Sequence, residues 1–314
     1  MKLAFVFPGQ GSQSLGMMKG FDDHPIVRQT FDEASATLSQ DLWQLVTAGP
    51  EEALDVTLNT QPVMLTAGIA VWRAWQARGG PMPEIVAGHS LGEYSALVAA
   101  GALAFRDAVP LVRYRAEAMQ QAVPQGVGAM AAILGADDET VAAACRKAAE
   151  GHIVEPVNYN APGQLVIAGE RSAVERAMQA AKELGARRAV MLPVSAPFHS
   201  SLLRPAAEKL AARLRDIAFS TPTIPVVHNV DVATHRDADG IRDALARQAA
   251  HPVRWTQTIQ AFAAQGVTHI VECGPGKVLA NLVKRIDDSL EAFALTSASM
   301  LDDVRAQLDE AARA

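Results

Sequence analysis

A glycine-flanked serine between a short apolar strand and a small-residue helix constrains the fold of this chain more than any other feature. Residues 84–88 have the composition of a buried strand, and a Gly-x-Ser-x-Gly motif at 88–92 leads into a helix predicted over 91–100. Side chains at the two glycine positions would clash with the neighbouring strand and helix, so glycine permits a very tight turn. Such a turn is typical of α/β sheets, and it leaves the hydroxyl of Ser90 exposed above the sheet.

Strands and helices alternate through both halves of the chain, which predicts a mostly parallel sheet covered by helices. In the first half the predicted elements are a strand at Leu3–Phe7 and helices over 24–40, 61–78 and 107–123, with Thr60 as the N-cap of the second helix. Beyond residue 195 they are helices over 200–215 and near 240–264, strands at 225–228, 269–272 and 292–295, and a helix after the turn at 273–276.

The segment between the two halves has a different order of elements. Strands are predicted at 127–134, 153–160, 164–168 and 187–192, and helices at 138–150 and 171–185. The resulting βαββαβ order is ferredoxin-like and can fold as a small unit of its own. We therefore expect an α/β protein in which a large domain, 1–125 and 195–314, carries an inserted small domain over 126–194.

Composition disfavours several functional classes. Of the 314 residues, 49% are hydrophobic and 20% are charged, and the net charge is -6. A nucleic-acid binder needs a basic face that neutralises phosphates, so we expect no nucleic-acid partner. No apolar run reaches the roughly 20 residues that cross a bilayer. Cys145 and Cys273 show no metal-type spacing. We expect a cytoplasmic monomer that does not bind a membrane and has no disulfide.

Ser90 needs a base, because a serine at its ordinary pKa is a weak nucleophile. Among the eight histidines, His199 stands out, since it follows Pro197-Phe198 where the chain returns from the small domain and a cleft is expected. Two alternatives stay open: Ser90 only caps the helix, and His199 is a structural histidine at a helix N-terminus. We expect His89 to form a structural hydrogen bond. No Asp or Glu stands out beside His199, so the sequence does not supply the acid of a triad.

An arginine interrupts the apolar face of the helix predicted over 107–123. Small or apolar residues occupy positions 108, 112, 119 and 122, and Arg115 completes their helical spacing. Arg113 and Glu117 lie off this face and are spaced for an exposed i,i+4 pair. An unpaired charge on an apolar face is costly. Arg115 is therefore either paired with an internal carboxylate or snorkelling, or it binds the carboxylate of a substrate such as a malonyl thioester.

By these and neighbouring residues the chain resembles the malonyl-CoA:acyl carrier protein transacylases of fatty-acid synthesis. The resemblance runs nearly end to end, because the matching motifs occur in order over most of the chain. The motifs are Phe7–Gln13, Gly88–Ala96, Arg113–Arg115, Asn160–Gln164, Pro197–Ser200 and Gly274–Lys277. The resemblance implies an α/β-hydrolase-like large domain with a mostly parallel sheet and an inserted ferredoxin-like small domain. It also implies malonyl-CoA and acyl carrier protein as partners, with no metal or redox cofactor.

The same resemblance implies the roles of the central site residues. Ser90 is expected to be the nucleophile, His199 the base and Arg115 the ligand of the malonyl carboxylate. A main-chain carbonyl of Gln248 is expected to orient the histidine in place of an acid.

Four further residues are expected to complete the pocket. The resemblance implies that the backbone N–H groups of Gln10 and Leu91 form the oxyanion hole. It implies that Met119 and Phe198 line the pocket, and Phe198 is the residue typical of malonyl rather than branched methylmalonyl substrates. The alternative for Met119 and Phe198 is ordinary core packing.

Three other functions use some of the same residues. A serine esterase or thioesterase needs Ser90 and His199 but no buried arginine. The malonyltransferase component of a malonate decarboxylase has a similar fold and a different carrier protein. A non-catalytic docking module would bind a carrier protein without forming a covalent acyl serine.

Overall fold

The computed structural model describes residues 1–194 and 196–313, which form a mixed α/β protein with two separate sheets. The predicted domain boundary at residue 195 and the chain end at residue 314 lie outside this range. The α-helices are α1 (Pro25–Leu38), α2 (Leu42–Ala48), α3 (Glu51–Leu54), α4 (Thr57–Ala77), α5 (Gly92–Ala99), α6 (Phe105–Gln121), α7 (Asp138–Ala149), α8 (Arg171–Glu183), α9 (Arg204–Leu214), α10 (Ala238–Gln248), α11 (Trp255–Ala264), α12 (Val278–Ile286) and α13 (Ala298–Arg313). The strands are β1 (Leu3–Phe7), β2 (Ile85–Gly88), β3 (Gly128–Leu134), β4 (Val154–Ala161), β5 (Gln164–Glu170), β6 (Arg188–Met191), β7 (Val226–Val227), β8 (His269–Glu272) and β9 (Glu291–Ala294).

The larger sheet is parallel and has the strand order β7-β2-β1-β8-β9. Every residue of β1 is buried, because helices cover both faces of the sheet. Alternate β1 side chains face opposite ways: Phe5 packs edge-on against Trp72 of α4, whereas Val6 joins a cluster that contains Trp255 of α11. The prediction of a mostly parallel sheet covered by helices is confirmed.

The smaller sheet is antiparallel and has the order β4-β5-β3-β6. The strands β3 and β4, which α7 connects, are separated in the sheet by β5, as in a split βαβ unit. One face packs against α7 and α8, and Met130 and Val166 on the other face join the core of the parallel sheet. The predicted βαββαβ order is confirmed. The division into domains at 126–194 stays a prediction.

Two helix predictions need correction. The N-cap at Thr60 is wrong: α4 begins at Thr57, and Thr60 lies inside it, where its hydroxyl donates to the Leu54 carbonyl at 2.6 Å. Arg113 and Glu117 also do not form a close ion pair: Arg113 donates to Gln40 Oε1 in the segment between α1 and α2, and Glu117 acts on the guanidinium only through its charge. None of the helices described here is long and apolar enough to cross a bilayer.

Candidate active site

The site is built at the carboxyl ends of neighbouring parallel strands, where ligands of α/β sheets bind. The strand β2 ends at Gly88 and α5 begins at Gly92, so Ser90 occupies the turn between them with a left-handed φ of 52°. A Cβ on Gly88 would lie 1.8 Å from the carbonyl carbon of Gly92, so glycine is needed for this close approach. The Ser90 N–H donates to Asn229 Oδ1 at 2.7 Å. Asn229 follows β7, the neighbour of β2 in the sheet.

The side chains of Ser90 and His199 are hydrogen-bonded, with 2.7 Å between Oγ and Nε2. His199 Nδ1 lies 2.9 Å from the main-chain oxygen of Gln248. Because a carbonyl only accepts, Nδ1 carries the proton and Nε2 presents its lone pair to Ser90. Burial, together with the nearby Arg115 guanidinium, lowers the pKa of His199 to about 3. The imidazole is therefore neutral at physiological pH.

The Arg115 side chain lies in the same pocket and is 2% exposed. Its Nη2 donates to Ser90 Oγ at 3.1 Å and to Gln248 Oε1 at 2.8 Å, and its Nη1 donates to Gln61 Oε1 at 2.9 Å. The guanidinium also lies over the ring of Tyr94, 5.5 Å from its centroid. Burial lowers the pKa of Arg115. Within the described residues no Asp or Glu pairs directly with this buried guanidinium, which excludes the predicted alternative of an internal salt bridge.

A cavity of about 400 Å³ connects these groups to the surface. Of the predicted site residues, those that line it are Gln10, Ser90, Leu91, Arg115, Met119, Phe198 and His199. Gln248 is fully buried behind them and contacts the site through its hydrogen bonds to His199 and Arg115. The structure therefore brings together the eight residues that were predicted for the site. In the described part of the chain, no group of His, Cys, Asp or Glu residues is arranged to hold a metal ion.

The loop after β1 packs directly on the serine turn. A Cβ on Gly9 would lie 2.4 Å from the carbonyl oxygen of His89, so this approach also needs glycine. The loop places Gln10 on the cavity wall beside Leu91. Neither the Gln10 nor the Leu91 N–H finds a hydrogen-bond acceptor among residues 1–194 and 196–313. Both donors are thus available to a group bound beside Ser90.

His89 connects the turn to the antiparallel sheet. Its Nε2 lies 2.8 Å from Asn160 Oδ1 on β4, and its ring packs on Trp255 at 5.4 Å between centroids. Burial lowers the pKa of His89. The expected structural hydrogen bond of His89 is confirmed.

Sequence reasoning missed four residues that surround these groups: Gln61, Glu93, His228 and Asn229. Gln61 is a buried amide on the mostly apolar α4, the same kind of signal that identified Arg115. Asn229 lies two residues after a strand of the parallel sheet, near the carboxyl end at which site residues are common. The contacts of Glu93 and His228, by contrast, join residues 135 positions apart, and the sequence carried no signal for them.

Comparisons with known proteins agree with this geometry. A family model described as acyl transferase domain matches residues 4–307. A malonyl CoA-acyl carrier protein transacylase of Salmonella typhimurium is 57% identical over 301 residues, 96% of this chain and 97% of the relative. An acyl-carrier-protein S-malonyltransferase from Burkholderia pseudomallei aligns with a TM-score of 0.96 and 59% identity, over 97% of this chain and 99% of that chain. A malonyl-transacylase solved in complex with a type II PKS acyl carrier protein aligns with a TM-score of 0.97 and 52% identity, over 98% of this chain and 100% of that chain.

Proposed function

The chain belongs to the acyl transferase domain family, and from this premise we propose that it is a malonyl-CoA:acyl carrier protein S-malonyltransferase of fatty-acid biosynthesis. It moves a malonyl group from coenzyme A to the phosphopantetheine thiol of acyl carrier protein through an ester on Ser90. The observation that carries the proposal is the 3.1 Å contact between Arg115 Nη2 and Ser90 Oγ. This contact places a buried cation beside the hydroxyl that would bear the acyl group.

In the first half-reaction His199 acts as the base and Ser90 as the nucleophile. The neutral Nε2 takes the proton of Oγ while Oγ forms a bond to the thioester carbonyl carbon. The carbon–sulfur bond then breaks, and the sulfur of coenzyme A leaves with the proton held by His199. The main-chain oxygen of Gln248 keeps Nδ1 protonated and fixes the ring throughout, so no acid is required.

The second half-reaction runs the same steps in reverse. The phosphopantetheine thiol gives its proton to His199, attacks the ester carbonyl and releases Ser90, which regains the proton. Because one set of groups serves both acyl donors and acceptors, we expect ping-pong kinetics. The reaction needs no metal or redox cofactor, since the thioester already carries an activated acyl group.

The negative oxygen that develops in each step needs nearby donors. The N–H groups of Gln10 and Leu91 are proposed as the oxyanion hole, because both line the cavity and both lack a protein acceptor in the range described. The N–H of Ser90 is not available for this role, since Asn229 accepts it.

Arg115 selects the acyl group. In a malonyl ester one CH₂ group separates the ester carbon from the free carboxylate, so the carboxylate lies close to Oγ and within reach of the guanidinium. The planar fork of Arg115 binds a carboxylate through two parallel hydrogen bonds. Met119 and Phe198 are fully and nearly fully buried on the cavity wall, and they limit the width available to the acyl group.

The proposal extends to the cellular location, the oligomeric state and the domain organisation of the protein. We propose that the protein works in the cytoplasm as a monomer on malonyl-CoA and acyl carrier protein. We also propose that residues 126–194 form a small domain inserted in a large one made by 1–125 and 195–314. The separate antiparallel sheet supports this division, because one of its faces forms a hydrophobic cluster of its own with α7 and α8.

Mass spectrometry after mixing with malonyl-CoA tests the proposal. The intact protein should gain one malonyl group, a digest should locate it on Ser90, and addition of holo acyl carrier protein should remove it as malonyl-carrier product. The Ser90→Ala variant should gain nothing, whereas Ser95→Ala, five residues further on in α5, should react as the parent does. A malonyl adduct on Ser90→Ala would show that another residue is the nucleophile. Release of free malonate in place of transfer would identify a thioesterase.

A further inference from the structure

Glu93 is a buried carboxylate in the first turn of α5, three residues after Ser90, and the reaction described above does not use it. Its side chain is 0% exposed. Its Oε1 accepts from His228 Nδ1 at 2.7 Å, and its Oε2 accepts from the Asn229 N–H at 2.9 Å and from Gln248 Nε2 at 3.0 Å. A carboxylate removed from water is costly unless hydrogen bonds satisfy it, and these three bonds do so. Each of them reaches a residue far away in the sequence.

Two of these partners hold the main chain of Ser90. Asn229 Oδ1 accepts the Ser90 N–H at 2.7 Å, and Gln248 Nε2 donates to the Ser90 carbonyl at 2.9 Å. Ser90 has a φ of 52°, a left-handed conformation that a residue with a side chain adopts only when its surroundings impose it. The main-chain N–H and the main-chain carbonyl of Ser90 are thus both hydrogen-bonded to residues that Glu93 fixes.

The carboxylate also decides which way the Gln248 amide points. A carboxylate can only accept, so the NH₂ group of the amide must face Glu93. The amide oxygen then faces Arg115 Nη2 at 2.8 Å. With the amide reversed, an NH₂ group would face the guanidinium and two donors would oppose each other. Glu93 and the Ser90 carbonyl, which accepts from the same Nε2 at 2.9 Å, therefore both keep the amide oxygen turned towards Arg115.

We propose that Glu93 is a positioning residue that acts through Gln248 and Asn229 to hold the Ser90 main chain and the Arg115 guanidinium in one arrangement. It thereby supports both the rate at which Ser90 is acylated and the preference for an acyl group with a free carboxylate. This inference rests on the proposed malonyl transfer.

The test is the Glu93→Gln variant, which keeps the size of the side chain and removes its charge. The rate of Ser90 acylation is measured with malonyl-CoA and with acetyl-CoA by quenched-flow mass spectrometry, per active site titrated. The neutral amide has one acceptor oxygen in place of two and brings an NH₂ group of its own, so it holds the Gln248 amide and Asn229 less firmly than the carboxylate does. We expect malonyl acylation to fall about tenfold or more, and acetyl acylation to fall less, since acetyl does not use Arg115.

A matched control is Glu272→Gln. Glu272 is another fully buried carboxylate, at the end of β8, where its Oε2 accepts the Ala280 N–H at 2.8 Å. The same replacement there should leave the ratio of malonyl to acetyl acylation unchanged. If Glu93→Gln also leaves this ratio unchanged, Glu93 only stabilises the fold and the proposal is overturned.

A double-mutant cycle tests the route through Gln248. Gln248→Met keeps the length of the side chain and the main-chain oxygen that contacts His199, but it removes the amide. In this background the further change Glu93→Gln should no longer alter the malonyl-to-acetyl ratio. If Glu93→Gln lowers the malonyl-to-acetyl ratio as much in this background as in the parent, the proposed route through Gln248 is wrong.

Three outcomes of these measurements are distinguished, so that the two proposals can fail separately. If Glu93→Gln does not fold, Gln248→Met alone must lower the malonyl-to-acetyl ratio, and an unchanged ratio overturns the role of Glu93. If the parent enzyme forms no malonyl ester on Ser90, the proposed function fails. If the parent forms the ester and the ratios stay constant, only the inference about Glu93 fails.

Discussion

Arg115 Nη2 lies 3.1 Å from Ser90 Oγ, inside a pocket that also contains the base His199. One buried cation therefore has two effects. It adds to the effect of burial in lowering the pKa of His199, which keeps the imidazole a neutral base, and it lies where a malonyl group on Oγ would carry its free carboxylate. All of its hydrogen-bond partners are neutral, namely Gln61, Gln248 and Ser90. The guanidinium can therefore bind a carboxylate without first breaking an ion pair.

The first prediction concerns how the rate of Ser90 acylation depends on pH on the acid side of neutrality. The pKa of His199 is lowered to about 3, so its free base persists far below the ordinary histidine value of 6.5. We expect the rate of Ser90 acylation by malonyl-CoA to stay nearly constant from pH 7.5 down to about 5. Quenched-flow measurement across this range checks it. A tenfold fall for each pH unit below 6.5 would show that His199 titrates normally.

The second prediction concerns Gln61, which holds Arg115 Nη1 at 2.9 Å. Gln61→Leu leaves a buried guanidinium N–H without an acceptor, and this costs about 1–3 kcal/mol of unfolding free energy. Urea titration measures that loss, and malonyl acylation should fall several-fold with it. As a control, Gln40→Leu removes the acceptor of the partly exposed Arg113 and should cost less on both counts. Equal effects of the two variants would argue against a special role for Gln61.

The third prediction concerns stability and Glu272, whose pKa burial raises to about 7 despite the N–H groups of α12. Between the ordinary value of 4.5 and 7, the folded protein holds a proton that the unfolded chain has lost. Stability therefore falls as pH rises through this range, by at most about 3 kcal/mol. Glu272→Gln should lack this slope, as urea titrations at pH 5 and pH 8 would show. Parallel pH dependence in the parent and the variant would contradict the assignment.

Local patterns were sufficient for most of the fold and for the centre of the site. The strand β8 was predicted residue for residue, and Ser90 and Arg115 were identified from a turn motif and from a charge on an apolar face. The helix α13 was not among the predicted elements. Its sequence does carry the pattern of a helix with one buried face, because Leu301, Val304 and Leu308 recur at helical spacing. The short helices α2 and α3 carry too few residues for a clear period.

The arrangement that supports the site could not be derived from spacing. Glu93 and Gln248 are 155 positions apart, one near the start of α5 and the other at the end of α10, and only the tertiary fold brings them together. The orienting role of Gln248 likewise depends on a main-chain oxygen, which every residue has, so no residue type signals it. Contacts of this kind follow from the fold rather than from a motif.

The most direct test of acyl-group selection is the ratio of malonyl to acetyl acylation in Arg115→Ala, with Arg113→Ala as the control two residues away. Loss of two charge-assisted hydrogen bonds, about 3 kcal/mol, should slow Ser90 acylation by malonyl-CoA about 100-fold. Acylation by acetyl-CoA should stay within about threefold of the parent or rise, and Arg113→Ala should leave both rates nearly unchanged. Equal losses for malonyl and acetyl groups in Arg115→Ala would show that the arginine is structural and would contradict malonyl selection by this site.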